Sequence, residues 1–334
     1  MAIRLVQLIH PQRGRRMAVV EEPNLRMLAD VTSVYGLAER AAGGSKKIEK
    51  LIEQIGVDET LPYDPIYRGE SEWALLPAFD HPIEASRCFI TGTGLTHKAS
   101  VEARQSMHGD AAVETDSMKM YRIGLEGGRP KRGKIGASPE WFYKGIGTIL
   151  QRPGEALQVP WHGDDGGEEA EIAGCYIIAA DGQPLRIGLV QGNEFSDHVM
   201  ESKNYLYLAQ SKLRSCSIGP EILIGTDLSE EVRGHATIER AGKTVWAGPL
   251  ASGEPHMSHT LANLEHHHFK HVEHRRPGDA HIHFFGADRF SYKDKLKLEE
   301  NDVMTIAFIG LGRALRNPLH IDTSEPKLVK AAPL

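Results

Sequence analysis

The chain has 334 residues, of which 40% are apolar and 25% are charged, and its formal net charge is −6 at neutral pH. This composition is typical of a folded globular protein with a sizeable core, and an acidic balance without a basic stripe argues against nucleic acid as the main partner. No apolar run approaches the ~20 residues of a membrane span and the N-terminus lacks a secretion signal, so we expect a cytoplasmic protein that makes no membrane contact.

The first 80 residues are predicted to form a small α+β domain. Residues 3–10 and 16–21 are β-branched or aliphatic segments on either side of a basic, glycine-containing turn, which is typical of a hairpin. We place a domain boundary near residue 80, so that a small N-terminal domain (1–80) precedes a catalytic domain (81–334).

Helical spacing of apolar residues predicts two helices in the N-terminal domain, at 31–42 and 46–55, with Ser45 as a plausible N-cap of the second. Residues 108–140 are polar and glycine-rich and are predicted to be a long flexible connection. Connections of that length are often active-site lids, although a plain surface excursion is about equally common.

From residue 141 onward the sequence repeatedly follows the pattern strand, turn, strand. Nine short strands are predicted, at 140–144, 157–159, 169–180, 186–193, 222–225, 233–241, 244–249, 280–285 and 303–310. One helix is predicted at 258–268, where Leu261, Leu264 and His268 share a face. Many short strands and few helices indicate a β-rich α+β protein. The three cysteines lie among apolar or small residues and are expected to be reduced core thiols: Cys88, Cys175 and Cys216.

Two acidic residues, Glu169 and Glu171, lie two positions apart in a predicted strand, so both carboxylates project from the same face. A buried carboxylate pair tends either to share a proton or to bind a hard divalent metal through oxygen. A hairpin would bring Glu194 alongside as a third ligand of a magnesium-type site. Taken alone, such a pair is more often the solvated edge of a strand, so its interpretation depends on the neighbouring motifs.

Seven of the 17 histidines fall between His266 and His283. We predict that those at 266–268, 271 and 274 lie at the surface or at an interface. His281 and His283 share a strand face, as in the metal sites of cupin-type barrels, but the acidic ligand expected a few residues further on is represented only by Asp288. We therefore rank this site below the carboxylates.

The motifs also follow one another in a distinctive order. They are Thr91-Gly92-Thr93-Gly94, Ser138-Pro139-Glu140-Trp141-Phe142-Tyr143-Lys144, the Glu169 and Glu171 pair, Gly192-Asn193-Glu194-Phe195-Ser196-Asp197-His198, Pro277-Gly278-Asp279 and Gly310-Leu311-Gly312-Arg313. This succession resembles the fumarylacetoacetate hydrolase superfamily from about residue 75 to 320. Within the superfamily the chain is most similar to the 2-keto-3-deoxypentonate dehydratases, on the evidence of Leu5-Val6-Gln7-Leu8-Ile9-His10-Pro11 and Trp161-His162-Gly163-Asp164-Asp165-Gly166-Gly167.

The resemblance implies a mixed β-sheet roll, a homodimer or larger assembly, and a small 2-oxo acid as substrate. It also implies a divalent metal, usually Mg²⁺ with Mn²⁺ or another divalent ion possible, held by Glu169, Glu171 and Glu194. The implied reaction is the dehydration of a 2-keto-3-deoxypentonate to 2-oxoglutarate semialdehyde through an enolate. The superfamily commonly has Asp at the position of Glu194, and its hydrolases have a Thr-Gly-Thr turn where this chain has His281-Ile282-His283-Phe284-Phe285-Gly286.

The catalytic candidates are Glu102 and nearby His97 for general acid and base work, and Lys212 as a donor to the substrate carboxylate or as a base. An ordinary structural histidine is about as frequent as a functional one at such a turn, and a lone lysine is more often solvated. One alternative function is an acylpyruvate or diketo-acid hydrolase that cleaves a carbon–carbon bond. Another is a catalytically silent binding protein with the same fold, against which the three carboxylates speak because burying them without a metal is costly.

Overall fold

The computed structural model describes residues 2–44, 47–98 and 115–334. In these ranges the strands are β1 (Ile3–His10), β2 (Gly14–Glu21), β3 (Asn24–Leu28), β4 (Val57–Pro62), β5 (Ala74–Leu75), β6 (Cys88–Gly92), β7 (Phe142–Ile146), β8 (Leu150–Gln151), β9 (Leu157–Val159), β10 (Ala170–Ile178), β11 (Pro184–Asn193), β12 (Cys216–Ile218), β13 (Ile222–Ile224), β14 (Val232–Arg240), β15 (Lys243–Ser252), β16 (Ala280–Phe284), β17 (Val303–Phe308) and β18 (Leu315–Ile321). The α-helices are Val34–Ala42, Ile48–Gln54, Tyr63–Tyr67, Asp116–Gly127, His198–Lys203, Leu208–Ser211 and Leu261–Phe269.

The strands form two sheets. The larger has 13 strands in the order β4-β3-β2-β1-β13-β11-β10-β16-β6-β7, with β12 beside β11 and β8, and β5 beside β1. The smaller has five strands in the order β15-β14-β17-β18-β9. Pairing is mostly antiparallel, with parallel pairs at β16–β6, β18–β9 and β12–β8. All nine predicted strands of the second part of the chain are confirmed, with shifts of a few residues at their ends.

The N-terminal segment joins the large sheet through β1, which pairs with β13 at Leu5 and Ile222. The predicted hairpin is confirmed as β1 and β2. The main hydrophobic cluster combines Leu5 and Met17 from this segment with Cys175 from β10. The division of the chain near residue 80 stays a prediction. Both predicted helices are present, whereas Ser45 lies outside the described residues.

Strand β10 lies at the centre of the large sheet between β11 and β16, and all nine of its residues are buried. Its neighbour β11 carries Gly192 at a point where the sheet is crowded: a Cβ there would lie 2.7 Å from Cε1 of Phe284. The glycine thus lets β11 approach the ring, directly beside the residues that form the site described below. All three cysteines are buried free thiols, as expected.

The prediction of an extended flexible connection at 108–140 is wrong over its central part, because Asp116–Gly127 is an α-helix. Thr115 caps it by accepting a hydrogen bond from the backbone N–H of Met118. The helix packs closely on residues 258–259, since a Cβ on Gly124 would lie 2.8 Å from Nε2 of His259. The glycines of this segment therefore allow close packing of a helix and do not mark a flexible loop. Residues 108–114 lie outside the described ranges.

The placement of the histidine run at the surface is wrong for two of its members. His268 is fully buried in the helix Leu261–Phe269, and His267 is 7% exposed and bonds to the carbonyl of Gly136. His268 lies on the same helical stripe as Leu261 and Leu264, so the periodicity that buries the leucines buries the imidazole as well.

His268 belongs to a cluster of stacked rings with His281 and His283 of β16. Its Nε2 lies 3.0 Å from Nδ1 of His281, and its ring stacks on that of His283 at 4.4 Å between centroids. Trp141 donates its indole N–H to Nδ1 of His268, so neutral His268 carries its proton on Nε2 and donates it to His281. Burial lowers the pKa of His281 and of His283 to about 3, with neighbouring histidines contributing, so these rings are neutral near pH 7.

No helix in the described ranges is both long enough and apolar enough to span a bilayer.

The buried histidines predict a specific dependence of stability on pH. Because the pKa of His281 is lowered on folding, its contribution to the free energy of unfolding is complete above pH ~6.5 and is lost as the pH falls from ~6.5 towards 3. We expect His281→Gln to narrow the difference in unfolding free energy between pH 7.5 and 5.5 by about 1.4 kcal/mol. Urea denaturation at both pH values measures this difference. The exposed His162→Ala serves as the control, and a His281→Gln protein with the wild-type difference would contradict the assignment.

Candidate metal centre

Three buried carboxylates meet at one place in the structure. One oxygen from each of Glu169, Glu171 and Glu194 lies within 4.8 Å of the others, and all three residues are at most 6% exposed. In the described parts of the chain this is the one group of three or more potential metal ligands that converges in this way. The predicted grouping of these residues therefore agrees with the geometry, while their role as ligands stays a prediction.

The β10–β11 hairpin creates this grouping through its register. Glu171 pairs with Gly192, and Ala170 pairs with Asn193. Just beyond the paired strands, the backbone N–H of Glu194 donates to the carbonyl of Glu169 at 3.0 Å. Since side chains alternate along a strand, this register places the three carboxylates on one face of the sheet.

The side chain of Asn193 fixes the turn that follows. Its Oδ1 accepts hydrogen bonds from the backbone N–H groups of Glu169 and Phe195, both at 3.2 Å. Phe195 has a φ of 46°, a left-handed conformation that non-glycine residues rarely adopt. Such a conformation persists only where the surroundings over-determine it.

Two fully buried lysines balance the negative charge. Lys212 Nζ lies 2.8 Å from Oε1 of Glu169, 2.7 Å from Oε2 of Glu194 and 2.8 Å from Oγ of Ser196. Lys144 Nζ lies 2.7 Å from the other oxygen of Glu194. The ring of Phe142 faces the Lys212 ammonium at 4.8 Å. The structure therefore places Lys212 in the carboxylate cluster, and sequence reasoning missed Lys144.

The carboxylate of Glu171 is repelled by the other two carboxylates of the cluster. Its Oε2 accepts a hydrogen bond from the backbone N–H of Gly286 at 2.7 Å. Burial raises its pKa well above the usual range, and the neighbouring Glu194 and Glu169 carboxylates raise the pKa further. Gly286 is also the point at which the segment after β16 reaches the cluster.

His281 and His283 of β16 do not lie on the face of the sheet that carries the three carboxylates. Along β16, Ile282 and Phe284 belong to the hydrophobic cluster that contains Ala173 of β10, and Glu171 lies on the same face as Ala173. His281 and His283 alternate with those apolar residues and lie on the opposite face. A joint site of the two histidines with the carboxylates is therefore ruled out by the pleat of the sheet.

A further buried histidine, which sequence reasoning also missed, supports Glu169. His198 Nε2 lies 3.0 Å from Oε1 of Glu169, and the His198 ring stacks on Phe290 at 4.6 Å between centroids. The residue before Glu169 is Glu168, which accepts hydrogen bonds from the N–H and the hydroxyl of Ser291 and so faces away from the three carboxylates. His198 follows Glu194 by only four residues, and this proximity in the sequence could have indicated that it lies near the carboxylates.

Asp197 ties the surrounding loops together. It caps the helix His198–Lys203 by accepting from the N–H of Met200, and its other oxygen pairs with Arg214 at 2.9 Å. That oxygen also accepts from the backbone N–H of Asp164 at 2.8 Å. Asp197 and Arg214 are both buried, so the pair is shielded from water.

Of the other two catalytic candidates, His97 lies within the described residues and Glu102 lies outside them. His97 is 1% exposed, and its Nδ1 and Nε2 lie 2.9 Å from Oγ1 of Thr96 and 3.2 Å from Oγ of Ser252. Because Thr96 donates its proton to the carbonyl of Phe285, its oxygen accepts from Nδ1–H of His97. Burial lowers the pKa of His97 to about 3, so its ring is neutral near pH 7.

The donor set suits a hard divalent cation. Three carboxylate oxygens converge from one face, which is the ligand type that Mg²⁺ and Mn²⁺ prefer. Burial, together with the Glu194 and Glu169 carboxylates, raises the pKa of Glu171 by more than Lys212 lowers it, and Oε1 of Glu194 is buried without a hydrogen-bond partner. The residues present therefore fit a bound divalent ion.

Comparison with known proteins supports the fold. No family model matches the sequence. A structure of 2-keto-3-deoxy-D-arabinonate dehydratase complexed with magnesium and 2,5-dioxopentanoate aligns with a TM-score of 0.71 at 17% identity, covering 96% of this chain and 100% of that one. A 5-carboxymethyl-2-hydroxymuconate delta-isomerase from Mycobacterium smegmatis aligns over the same shares with a TM-score of 0.57 and 17% identity. The predicted β-rich α+β fold and the predicted resemblance in architecture are confirmed.

One relative is similar in sequence. A probable 2-keto-3-deoxyxylonate dehydratase from Haloferax volcanii is 28% identical over 169 residues, which are 49% of this chain and 50% of that protein. The match thus spans about half the length of the relative. It agrees with the dehydratase branch that the motifs indicated.

The Asp197–Arg214 pair yields a prediction about stability. Asp197→Ala removes a helix cap and leaves the Arg214 guanidinium buried without its partner, so we expect a loss of about 3–5 kcal/mol in the free energy of unfolding. Guanidinium denaturation measures the loss. Asp181→Ala, in an exposed turn, is the control and should change stability by less than about 0.5 kcal/mol. An equally small effect of Asp197→Ala would show that the pair contributes little.

Proposed function

We propose that this protein is a Mg²⁺-dependent dehydratase that converts a 2-keto-3-deoxypentonate to 2-oxoglutarate semialdehyde, which is 2,5-dioxopentanoate. The observation that carries the proposal is the convergence of three buried carboxylates with a buried lysine. The names of the similar proteins agree with this reaction, since one is a probable 2-keto-3-deoxyxylonate dehydratase and another is complexed with magnesium and 2,5-dioxopentanoate.

Glu169, Glu171 and Glu194 would hold the ion, with Mn²⁺ or another divalent cation as possible substitutes for Mg²⁺. When bound, the ion supplies Lewis-acid chemistry, which stabilises the negative charge that develops on the ketone oxygen of a 2-oxo acid. His198 orients Glu169 through its hydrogen bond, in the way that outer hydrogen bonds commonly orient metal ligands.

Lys212 is proposed to donate to the substrate carboxylate. Its ammonium is buried beside Glu169 and Glu194, so a substrate anion placed at the cluster would lie within its reach. Ser196 and the ring of Phe142 restrict the ammonium to this side of the cluster. A low-polarity pocket strengthens such a contact by excluding water.

Dehydration requires that a proton leave carbon 3 and that the hydroxyl at carbon 4 depart as water. A subsequent proton shift from carbon 5 to carbon 3 gives an enol with its double bond between carbons 4 and 5, which becomes the terminal aldehyde when carbon 4 gains a proton and the hydroxyl loses one. We propose Glu102 as the general acid and base, with His97, nearby in the sequence, as the second candidate. Because burial lowers the pKa of His97 to about 3, its ring is neutral near pH 7 and a weak base, so the proton transfers are assigned first to Glu102.

The protein is also proposed to be cytoplasmic and to form a homodimer or a larger homo-oligomer. Three buried free thiols suit a reducing compartment. Among the residues that the structure describes, strand β7 ends the large sheet, and Trp141 and Tyr143 on this edge are 37% and 39% exposed. Open sheet edges that carry large apolar side chains are usually covered, and a second copy of the chain would provide such cover.

The proposed reaction is tested by offering two substrates separately, a 2-keto-3-deoxypentonate and an acylpyruvate, with Mg²⁺ and with EDTA. We expect 2,5-dioxopentanoate from the sugar acid only, detected by NMR, and loss of the product with EDTA. Pyruvate from the acylpyruvate with an unchanged sugar acid would instead identify a carbon–carbon hydrolase. No turnover of either compound would favour a binding protein.

The metal site is tested with Glu171→Gln. We expect this variant to lose Mg²⁺ binding and turnover, whereas its metal-free form should be at least as stable as the wild type because a repelling charge has been removed. The measurements are calorimetric titration with Mg²⁺ and thermal unfolding with and without the ion. Glu168→Gln, which replaces a buried carboxylate that faces Ser291, is the matched control and should keep Mg²⁺ binding. Full activity of Glu171→Gln would refute the site.

The role of Glu102 is tested with Glu102→Gln. We expect a loss of turnover with Mg²⁺ binding preserved, because a general acid and base contributes to the rate and not to metal affinity. Ordinary rates in this variant would remove Glu102 from the mechanism.

A further inference from the structure

We propose that Lys144 is the positioning residue of the carboxylate cluster: it fixes Glu194 and the backbone around Lys212 and thereby sets the affinity for the divalent ion. This inference rests on the metal site of the proposed function. It assigns to Lys144 a role that is separate from that of Lys212, although both are buried ammonium groups beside the same carboxylate.

The Lys144 ammonium makes three polar contacts within the site. Its Nζ lies 2.7 Å from Oε1 of Glu194, 2.7 Å from the carbonyl oxygen of Phe195 and 3.0 Å from the carbonyl oxygen of Lys212. The two carbonyl oxygens accept hydrogen bonds from the ammonium, whereas the contact with Glu194 is an ion pair without hydrogen-bond geometry. Lys144 therefore links one carboxylate to two backbone segments that are far apart in the sequence.

The backbone contact with Phe195 acts at a strained position. Phe195 follows Glu194 directly and has a φ of 46°. The side chain of Asn193 holds its N–H, and Lys144 holds its carbonyl. Because both polar groups of Phe195 are fixed, the conformation that aims the Glu194 side chain at the cluster is over-determined.

The two lysines divide the oxygens of Glu194 between them. Lys144 pairs with Oε1, while Lys212 pairs with Oε2 and also with Glu169. Among the described residues, Lys144 forms an ion pair with the cluster only through Glu194. Lys144 therefore keeps a positive charge beside Glu194 that does not depend on Lys212.

The side chain of Lys144 is confined to this role by its surroundings. The residue is 1% exposed, and it projects from β7, the strand that ends the large sheet. A charge in such a position is stable only when it is paired and hydrogen-bonded, as it is here. Lys144 acts through Glu194 and through the backbone, which makes it a positioning residue.

The test is a double-mutant cycle on Mn²⁺ affinity, measured by electron paramagnetic resonance with Lys144→Met, Glu194→Asp and the double variant. Glu194→Asp keeps a carboxylate ligand, but its side chain is one methylene shorter and withdraws that carboxylate from Lys144. Lys144→Met should weaken Mn²⁺ binding about 10- to 100-fold, the usual effect of removing a partner of a metal ligand. In the Glu194→Asp background the same change should weaken binding by less than about 3-fold, because the contact through which Lys144 acts has already been broken.

Lys50→Met is the control, since Lys50 is exposed and pairs only with Glu53 among its observed contacts. Unchanged Mn²⁺ affinity in Lys144→Met, or equal losses in both backgrounds, would overturn the proposal, even if the variant unfolds at a lower temperature. If Lys144→Met does not fold, Lys144→Gln takes its place, because its amide keeps two N–H donors for the carbonyl groups of Phe195 and Lys212, and the same outcomes decide.

The outcome is separable from that of the proposed reaction. A wild-type protein that binds Mn²⁺ but leaves the sugar acid unchanged would refute the dehydratase function and leave the role of Lys144 to be decided by the cycle. A wild-type protein that does not bind Mn²⁺ would overturn both.

Discussion

The structure is organised around the repulsion of three carboxylates held within 4.8 Å of one another in the protein interior. Burying even one carboxylate costs several kcal/mol unless it is paired, so the surroundings of Glu169, Glu171 and Glu194 must supply compensation from several directions. They do so with two lysines, a histidine and a backbone N–H, each contributed by a different segment. The fold brings these segments together, and the residual imbalance at Glu171 is what a divalent cation would neutralise.

The two faces of the large sheet carry different kinds of side chain, and the sequence alone did not show this division. One face of β10 and β16 carries the carboxylates and, further along, the apolar cluster that joins the N-terminal segment to the rest of the chain. The opposite face carries stacked neutral histidines against the helix Leu261–Phe269. A shift of one residue in the β10–β11 register would exchange the two faces, so register at Glu171 and Gly192 matters for charge as well as for packing.

Local patterns were sufficient to predict the strands and the carboxylate cluster. Glu169 and Glu171 are related by the two-residue period of a strand, and Glu194 by a hairpin, and both relations are local in sequence. Lys144 was missed because it lies on β7, far along the chain from its partner Glu194, and no local period relates the two. His198 lies just beyond the β10–β11 hairpin, and no strand or helix period relates it to Glu169. The helix at Asp116–Gly127 was missed because its glycines suggested a loop, whereas they allow close contact with His259. The burial of His268 could have been predicted from its helical stripe, which also contains Leu261 and Leu264. The polar side chain instead led to a prediction at the surface.

The ion pair between Lys144 and Glu194 has a consequence for how such a site can change over generations. Replacement of Glu194 by a neutral side chain leaves the buried Lys144 ammonium without its ion-pair partner, and replacement of Lys144 leaves Glu194 with only Lys212, which it shares with Glu169. Single replacements at either position therefore pass through a less stable chain, whereas a joint replacement does not. Descendants of this protein should accordingly keep both residues or have lost both, and a descendant that has lost both would retain the sheet while giving up the cation site.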